Sequence, residues 1–193
     1  MRYLALLRGI NVGGKSLVRM ADLKECVEKL GYDDVSTFIA SGNVLFESAK
    51  EAAKLEAELE RALERRFKLP IAVVVRSHAE VGRVVNAIPP SWVGNDSLRV
   101  NVAFLRRKLD GRKLARELEP KEGIDELVAT KAALIWATRR DALTRSGMQK
   151  LVGGAAYKDL TVRNLNTTLK LQELLATKPR RARRTGRRRQ CGC

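Results

Sequence analysis

Two polar segments of this 193-residue chain have residue types and spacings that could bind an anion. The first, Gly9 to Ser16, reads GINVGGKS and satisfies the P-loop pattern, in which backbone amides hold phosphates, the lysine reaches the outer phosphates and the hydroxyl binds magnesium. The second, Thr161 to Thr167, reads TVRNLNT, and five of its seven residues are polar or charged. Both segments are therefore candidate binding sites.

The surroundings of the first segment argue against a nucleotide triphosphatase. A P-loop joins a strand directly to a helix in a parallel sheet, and an acidic residue at the end of another apolar strand positions the metal. Here the apolar runs IAVVV and VAFL end in Arg76 and Arg106, and helical periodicity begins only near Met20. We therefore favour a tight turn between a strand and a helix, with the triphosphatase as a minor alternative.

The second segment is expected to open the last helix, which we predict from near Thr161 through Leu165, Leu169 and Leu174. The free amides and the dipole of a helix N-terminus favour an anion, and Arg163 adds a bidentate donor. Capping alone needs only one or two such residues. The remainder are available for a ligand.

The order of the elements predicts an α+β fold with a ferredoxin-like βαββαβ N-terminal half and a smaller α+β C-terminal half. The Ser41-Gly42-Asn43 turn separates two β-rich runs, and capping boxes at Ser48 with Glu51 and at Ser77 with Glu80 are expected to start two helices. A later hairpin is predicted to turn at Thr130-Lys131. The only internal sequence similarity is a loose one between YLALLRGI and VAFLRRKL. The expected divisions are 1–76 for the ferredoxin-like unit, 77–96 for a helix and linker, 97–177 for the smaller half, and 178–193 for a disordered basic tail.

Neighbouring strands should bring the polar segments together. In a ferredoxin-like sheet the first and third strands are antiparallel neighbours, so the loop after the first strand should lie beside the Ser41-Gly42-Asn43 turn. If the last helix packs against that edge, the result is a cleft for an anionic, phosphorylated small molecule or nucleotide, with no obvious base, and we expect no cofactor and no metal. The predicted ligand-binding residues are Arg8, Asn11, Gly13, Gly14, Ser41, Asn43, Arg163, Asn164, Asn166 and Thr167.

Charge leaves two other functions open. The net charge is +16, and eight basic residues with no acid lie from Lys178 to the end, so half of the charge is in the tail. Such a tail could bind nucleic acid nonspecifically by counterion release, although only 5% of residues are aromatic and no pair for base stacking is apparent. An enzyme in which Arg163 stabilises a transition state is the third possibility. Three unevenly placed cysteines and no long apolar run indicate a cytoplasmic protein with no membrane partner, and oligomeric state is left open.

The motifs also resemble a known bacterial family. LALLRGINVGGK, Met20-Ala-Asp-Leu23, the segment from Val35 to Phe46 with its SGN turn, and TVRNLNT occur in the order found in the family catalogued as domain of unknown function number 1697. The resemblance covers residues 1 to about 177 and implies an α+β fold with a ferredoxin-like first half. It supplies no activity. In that family the loop reads RGINVGG followed by variable positions, and the tryptophan of the last motif is replaced here by Leu165.

Overall fold

The computed structural model describes residues 1–13 and 17–177 and forms two antiparallel four-stranded sheets. The first sheet has the order β2-β3-β1-β4, which with its two helices is the predicted ferredoxin-like unit. β1 pairs antiparallel with both β3 and β4, and α1 begins at Met20, so the parallel arrangement of a P-loop is ruled out. The elements of this half are β1 (Arg2–Leu7), α1 (Met20–Glu28), β2 (Asp33–Phe38), β3 (Asn43–Glu47), α2 (Ala52–Phe67) and β4 (Val73–Ser77).

The second sheet repeats the topology of the first. Its order is β6-β7-β5-β8, so the sequence echo between YLALLRGI and VAFLRRKL falls on the corresponding strands β1 and β5. The outer helices of the second half are shorter than those of the first, with five residues each against nine and sixteen. The remaining elements are α3 (His78–Asn86), β5 (Leu98–Leu105), α4 (Gly111–Ala115), β6 (Asp125–Ala129), β7 (Ala133–Arg139), α5 (Gln149–Gly153), β8 (Leu160–Asn164) and α6 (Leu165–Ala176).

Two predicted helix starts are wrong and one is confirmed. Ser77 and Glu80 form the predicted capping box at the start of α3. At α2 the N-cap is Glu51 without a side-chain cap bond. The last helix begins at Leu165 rather than near Thr161, because the preceding five residues extend as β8 and pair antiparallel with β5.

One apolar core joins the two halves. Helices α1 and α2 cover the outer face of the first sheet, and α4 and α5 lie on the outer face of the second. The inner faces of both sheets share a central cluster with α3 and α6, in which Leu4, Leu6, Val102 and Phe104 are all fully buried. Apolar burial at about 25 cal/mol per Å² makes such a shared cluster the main force that holds the halves together.

This packing also removes the surface that many ferredoxin-like RNA-binding proteins use. Those proteins bind bases on the sheet face that the helices leave open. Here that face is buried in both halves, so neither sheet presents an RNA platform. No helix among residues 1–13 and 17–177 is both long and apolar enough to cross a bilayer.

A buried carboxylate fixes the connection between β7 and α5. Asp125 accepts hydrogen bonds from the hydroxyls of Thr138 and Ser146 at 2.7 and 2.6 Å, and from the backbone amides of Lys121 and Gly147 at 3.1 and 2.8 Å. Burial acts to raise the pKa of Asp125, but these four hydrogen bonds outweigh it, and the pKa lies below its ordinary value. Asp125 therefore has a structural role.

Candidate functional site

Arg163, on β8, reaches across to the first sheet and meets the ends of β1 and β3. Its Nε donates to Oδ1 of Asn43 at 2.6 Å. Its Nη2 donates to the carbonyl oxygens of Leu7 and Ser41, both at 2.9 Å. A single side chain of the second half therefore holds three points of the first half.

The other amino group of Arg163 bonds within β8. Nη1 donates to Oγ1 of Thr161 and to the carbonyl oxygen of Val162, both at 2.8 Å. Nη2 also lies 3.4 Å from the Gly42 carbonyl oxygen, and these six contacts use all five N–H donors of the guanidinium. Only 8% of the residue is exposed, and burial lowers the pKa of Arg163 to about 10, so it stays charged at neutral pH. The contacts favour a structural role for Arg163, since no donor is left for a ligand.

The neighbouring asparagines, also predicted to bind ligand, hold loops instead. The Nδ2 of Asn43 donates to the Phe38 carbonyl and to Oγ of Ser41 at 2.9 and 3.0 Å, which closes the turn between β2 and β3. Asn11, at φ 55°, bonds both the amide and the carbonyl of Val18. It also donates to the Ala40 carbonyl at 2.8 Å. As predicted, the loop after β1 and the turn after β2 lie side by side.

Glycine is required in that turn. Gly42 has φ 76°, and a Cβ atom there would lie 2.7 Å from Cδ1 of Ile10 and 2.8 Å from Cβ of Leu7. Gly13, at φ 61°, has open space around it. Gly14, also predicted to bind ligand, lies outside the described residues, as do Lys15 and Ser16.

Arg8 combines a contact across the interface with partial exposure. Its Nε donates to the Tyr157 carbonyl at 3.1 Å, and its guanidinium carbon lies 5.0 Å from the centre of the Tyr157 ring. This contact is a second link between the halves, beside the one made by Arg163.

The last three predicted residues lie at the start of α6. Asn164 is the N-cap and accepts from the Thr167 amide at 2.8 Å, so one of the predicted capping residues does cap. Asn164 and Asn166 line a cavity of about 330 Å³ together with Arg99 and Arg140. The predicted residues are therefore divided between an internally bonded junction and this cavity.

A larger cavity opens on another side of the junction, where α3 of the connecting segment faces the second half. We call it the basic cleft. Its volume is about 720 Å³, and it carries five cationic side chains against one acidic side chain. The residues that line it are Arg76, Glu80, Arg83, Val84, Arg107, Leu109, Arg112, Thr130, Lys131 and Ala132.

Arg76 is buried in the wall of the basic cleft, with only 1% of the residue exposed. Its Nη atoms donate to the carbonyls of Val75 and Leu105, and its nearest carboxylate is Glu56, at 3.5 Å. Its Nε has no partner within the described part of the chain. Burial lowers the pKa of Arg76 and raises that of Glu56, so both partners of this pair are disfavoured in their charged forms.

The single acid of the basic cleft is already engaged. Glu80 accepts from the backbone amide of Ser77 at 2.8 Å in the α3 capping box and pairs with Arg107 at 3.0 Å. Burial acts to raise the pKa of Glu80, but the Ser77 bond and the charges of Arg107 and Arg76 outweigh it, and the pKa lies below its ordinary value. Glu80 therefore remains an anion that neutralises one cation of the five.

Three cations of the basic cleft have no ion pair with any acid in residues 1–13 and 17–177: Arg83, Arg112 and Lys131. They come from α3, from α4 and from the turn between β6 and β7. The sequence did not indicate these three residues as a group. The one local indication of the basic cleft was Arg76, an arginine at the end of an apolar strand where the chain leaves the core.

Neither cavity has the ligands of a metal centre. No group of three histidine, cysteine, aspartate or glutamate side chains is placed to hold a metal ion within the part of the chain described. The chemistry available in the basic cleft is that of arginine and lysine, which bind phosphate and carboxylate groups by charge-assisted hydrogen bonds.

Fold and site together define a class of protein: two ferredoxin-like units that share one core, with a basic cleft at their junction. The chain belongs to the family described as "Protein of unknown function (DUF1697)", whose model matches residues 1–136. The match confirms the predicted resemblance, and it ends before the Thr161 to Thr167 segment.

A solved structure has the same fold. It is the conserved bacterial protein SP0830 from Streptococcus pneumoniae, which is 28% identical, with a TM-score of 0.79 over 90% of this chain and 98% of that chain. No curated protein matches the sequence. The comparisons therefore establish family and fold, and they name no activity.

Proposed function

We propose that the protein binds an anionic, phosphorylated small molecule in the basic cleft. The observation that carries this proposal is the excess of cationic side chains, five against one acid, around a cavity of about 720 Å³. Unpaired cations held close together repel one another, and an anion relieves that repulsion. The volume falls in the range of about 300–1,000 Å³ that is usual for small-molecule sites.

Arg76 supports the same proposal independently of the charge count. A buried N–H without an acceptor costs about 1–3 kcal/mol, and the Nε of Arg76 is such a group. An anion in the basic cleft would stabilise the guanidinium charge that burial disfavours. The apolar side chains of Val84, Leu109 and Ala132 leave part of the wall for an uncharged portion of the ligand.

The proposal retains the ligand class predicted from the sequence and changes its location. The junction around Arg163 is filled by bonds within the protein, whereas the basic cleft has donors to spare. The cavity beside α6 is the alternative location, since Arg99 and Arg140 line it. Its smaller volume and its acidic residue, Asp96, favour it less.

Calorimetric titration of the full chain with pyrophosphate tests the proposal. We expect the double variant R112Q/K131Q to bind at least about tenfold more weakly, because two charged hydrogen bonds of about 1.5–3 kcal/mol each are lost. R99Q/R140Q is the matched control, since it removes the same charge from the other cavity. Lys54, on the exposed side of α2, gives a second control in K54Q.

All of these variants keep the same tail, so any binding by the tail is equal in them and the comparison isolates the contribution of the basic cleft. Equal affinity of the parent and R112Q/K131Q would refute the proposal. Loss of binding in R99Q/R140Q alone would move the site to the cavity beside α6.

A further inference from the structure

We infer that the ligand of the basic cleft carries at least two phosphoryl groups. This inference rests on the proposed function and narrows its ligand class. Three observations bear on it: the number of unpaired cations, their distribution over separate elements, and the size of the cavity.

The charge count exceeds what one phosphoryl group can match. A phosphate monoester carries about −1.5 to −2 at neutral pH. After Glu80 has neutralised Arg107, three unpaired cations and the poorly paired Arg76 remain at the lining. A single phosphoryl group would leave a surplus of positive charge in the cleft, whereas two or three linked groups would balance it.

The cations also lie on different elements. Arg83 belongs to α3, which follows the first sheet, while Arg112 and Lys131 belong to α4 and to the turn between β6 and β7 in the second half. A cavity of about 720 Å³ separates these lining residues, and a lone phosphate would occupy only part of it. A chain of phosphoryl groups can engage cations on both sides at once.

The second half holds its side of the cleft by a close backbone contact. At Gly111, the first residue of α4, a Cβ atom would lie 2.3 Å from the Thr130 carbonyl oxygen, so only glycine allows α4 to approach the β6–β7 turn. The Gly111 amide donates to the Lys131 carbonyl at 3.2 Å. The backbones that carry Arg112 and Lys131 are therefore held together before any ligand arrives, which lowers the entropic cost of binding.

Titration of the full chain with phosphate, pyrophosphate and tripolyphosphate tests the inference. We expect tripolyphosphate to bind at least about 100-fold more tightly than phosphate. R83Q and K131Q, one on each side, should each weaken tripolyphosphate binding about tenfold and phosphate binding less than about threefold. K54Q, which removes one charge from the exposed side of α2, should change neither.

The outcomes separate the inference from the proposed function. If phosphate and tripolyphosphate bind with similar affinity and both depend on Arg112 and Lys131, the site holds one anionic group and only the inference fails. If no anion responds to R83Q, K131Q or R112Q/K131Q, the proposed function fails with it. If a nucleoside diphosphate binds more tightly than pyrophosphate, the ligand belongs to the organic diphosphates. If the two bind with equal affinity, the ligand is an inorganic polyphosphate. Both results support the inference.

Discussion

Removal of the Arg163 guanidinium should destabilise the whole protein, because that group links the two halves. R163M is the informative change, since methionine fills much of the same space and donates no hydrogen bond. The hydrogen bonds of Arg163 end on acceptors that are largely buried, among them Oδ1 of Asn43, a residue that is 0% exposed. Those acceptors lose their donor in the variant.

The expected loss follows from these contacts. The net stabilisation by Arg163 is smaller than the sum of its separate hydrogen-bond free energies, because the desolvation of the buried cation opposes them. Each buried acceptor left without its donor costs about 1–3 kcal/mol, and the relieved desolvation of the cation offsets part of the sum, so we expect a net loss of about 3–5 kcal/mol. For a protein of 193 residues this corresponds to a decrease in Tm of about 6–20 °C.

Thermal and urea unfolding of R163M measure this loss, with R8A as the matched control. Arg8 makes one hydrogen bond across the same junction and is partly exposed, so R8A should cost only about 1–2 kcal/mol. R163K should remain well below the parent, since an ammonium has three donors and no fork. A Tm of R163M within about 2 °C of the parent, by the same size scaling, would refute the structural role.

Two further predictions concern single residues of the fold. G42A should lower the free energy of unfolding by about 2–5 kcal/mol, because alanine disfavours the left-handed φ and its Cβ would overlap with Leu7. G31A is the control, since Gly31 has a similar φ of 78° but open space around it, and it should lose only about 1 kcal/mol. Urea unfolding of both variants measures the difference. D125N should lower the free energy of unfolding by about 2 kcal/mol at pH 7, because the side-chain NH2 of asparagine would replace the carboxylate oxygen that accepts from the Gly147 backbone amide. The pKa of Asp125 is lower in the folded state, so its contribution to stability is complete above about pH 4 and is lost as the pH falls further. D125N should therefore lose less stability than the parent on acidification, and an equal or steeper loss would contradict this.

The local patterns of the sequence were enough to predict the first half. Short apolar runs separated by turn residues, and two amphipathic helices between them, specify βαββαβ because each element must bury one face. The SGN turn and the Ser77 capping box were readable for the same reason, since their hydrogen bonds join residues two or three positions apart. The adjacency of the loop after β1 and the turn after β2 followed from strand order alone.

Long-range contacts decided the remainder. The residues TVRN before the last helix have no strong helical or strand pattern, and only pairing with β5, sixty residues earlier in the chain, makes them β8. That pairing puts Arg163 opposite Val102 and turns its side chain toward the first sheet, where carbonyls rather than a ligand accept its hydrogen bonds. The sequence could nominate Arg163 as important, but only the register of β8 determined its partners.

The basic cleft was outside the reach of sequence reasoning for a related reason. Surface charges have no period, because nothing in the local backbone requires them to face a common direction. Arg83 and Lys131 are separated by nearly fifty residues and become lining residues of one cavity only when the two halves fold against each other. The sequence determined the excess of positive charge, and the packing of the two halves decided where that charge is concentrated.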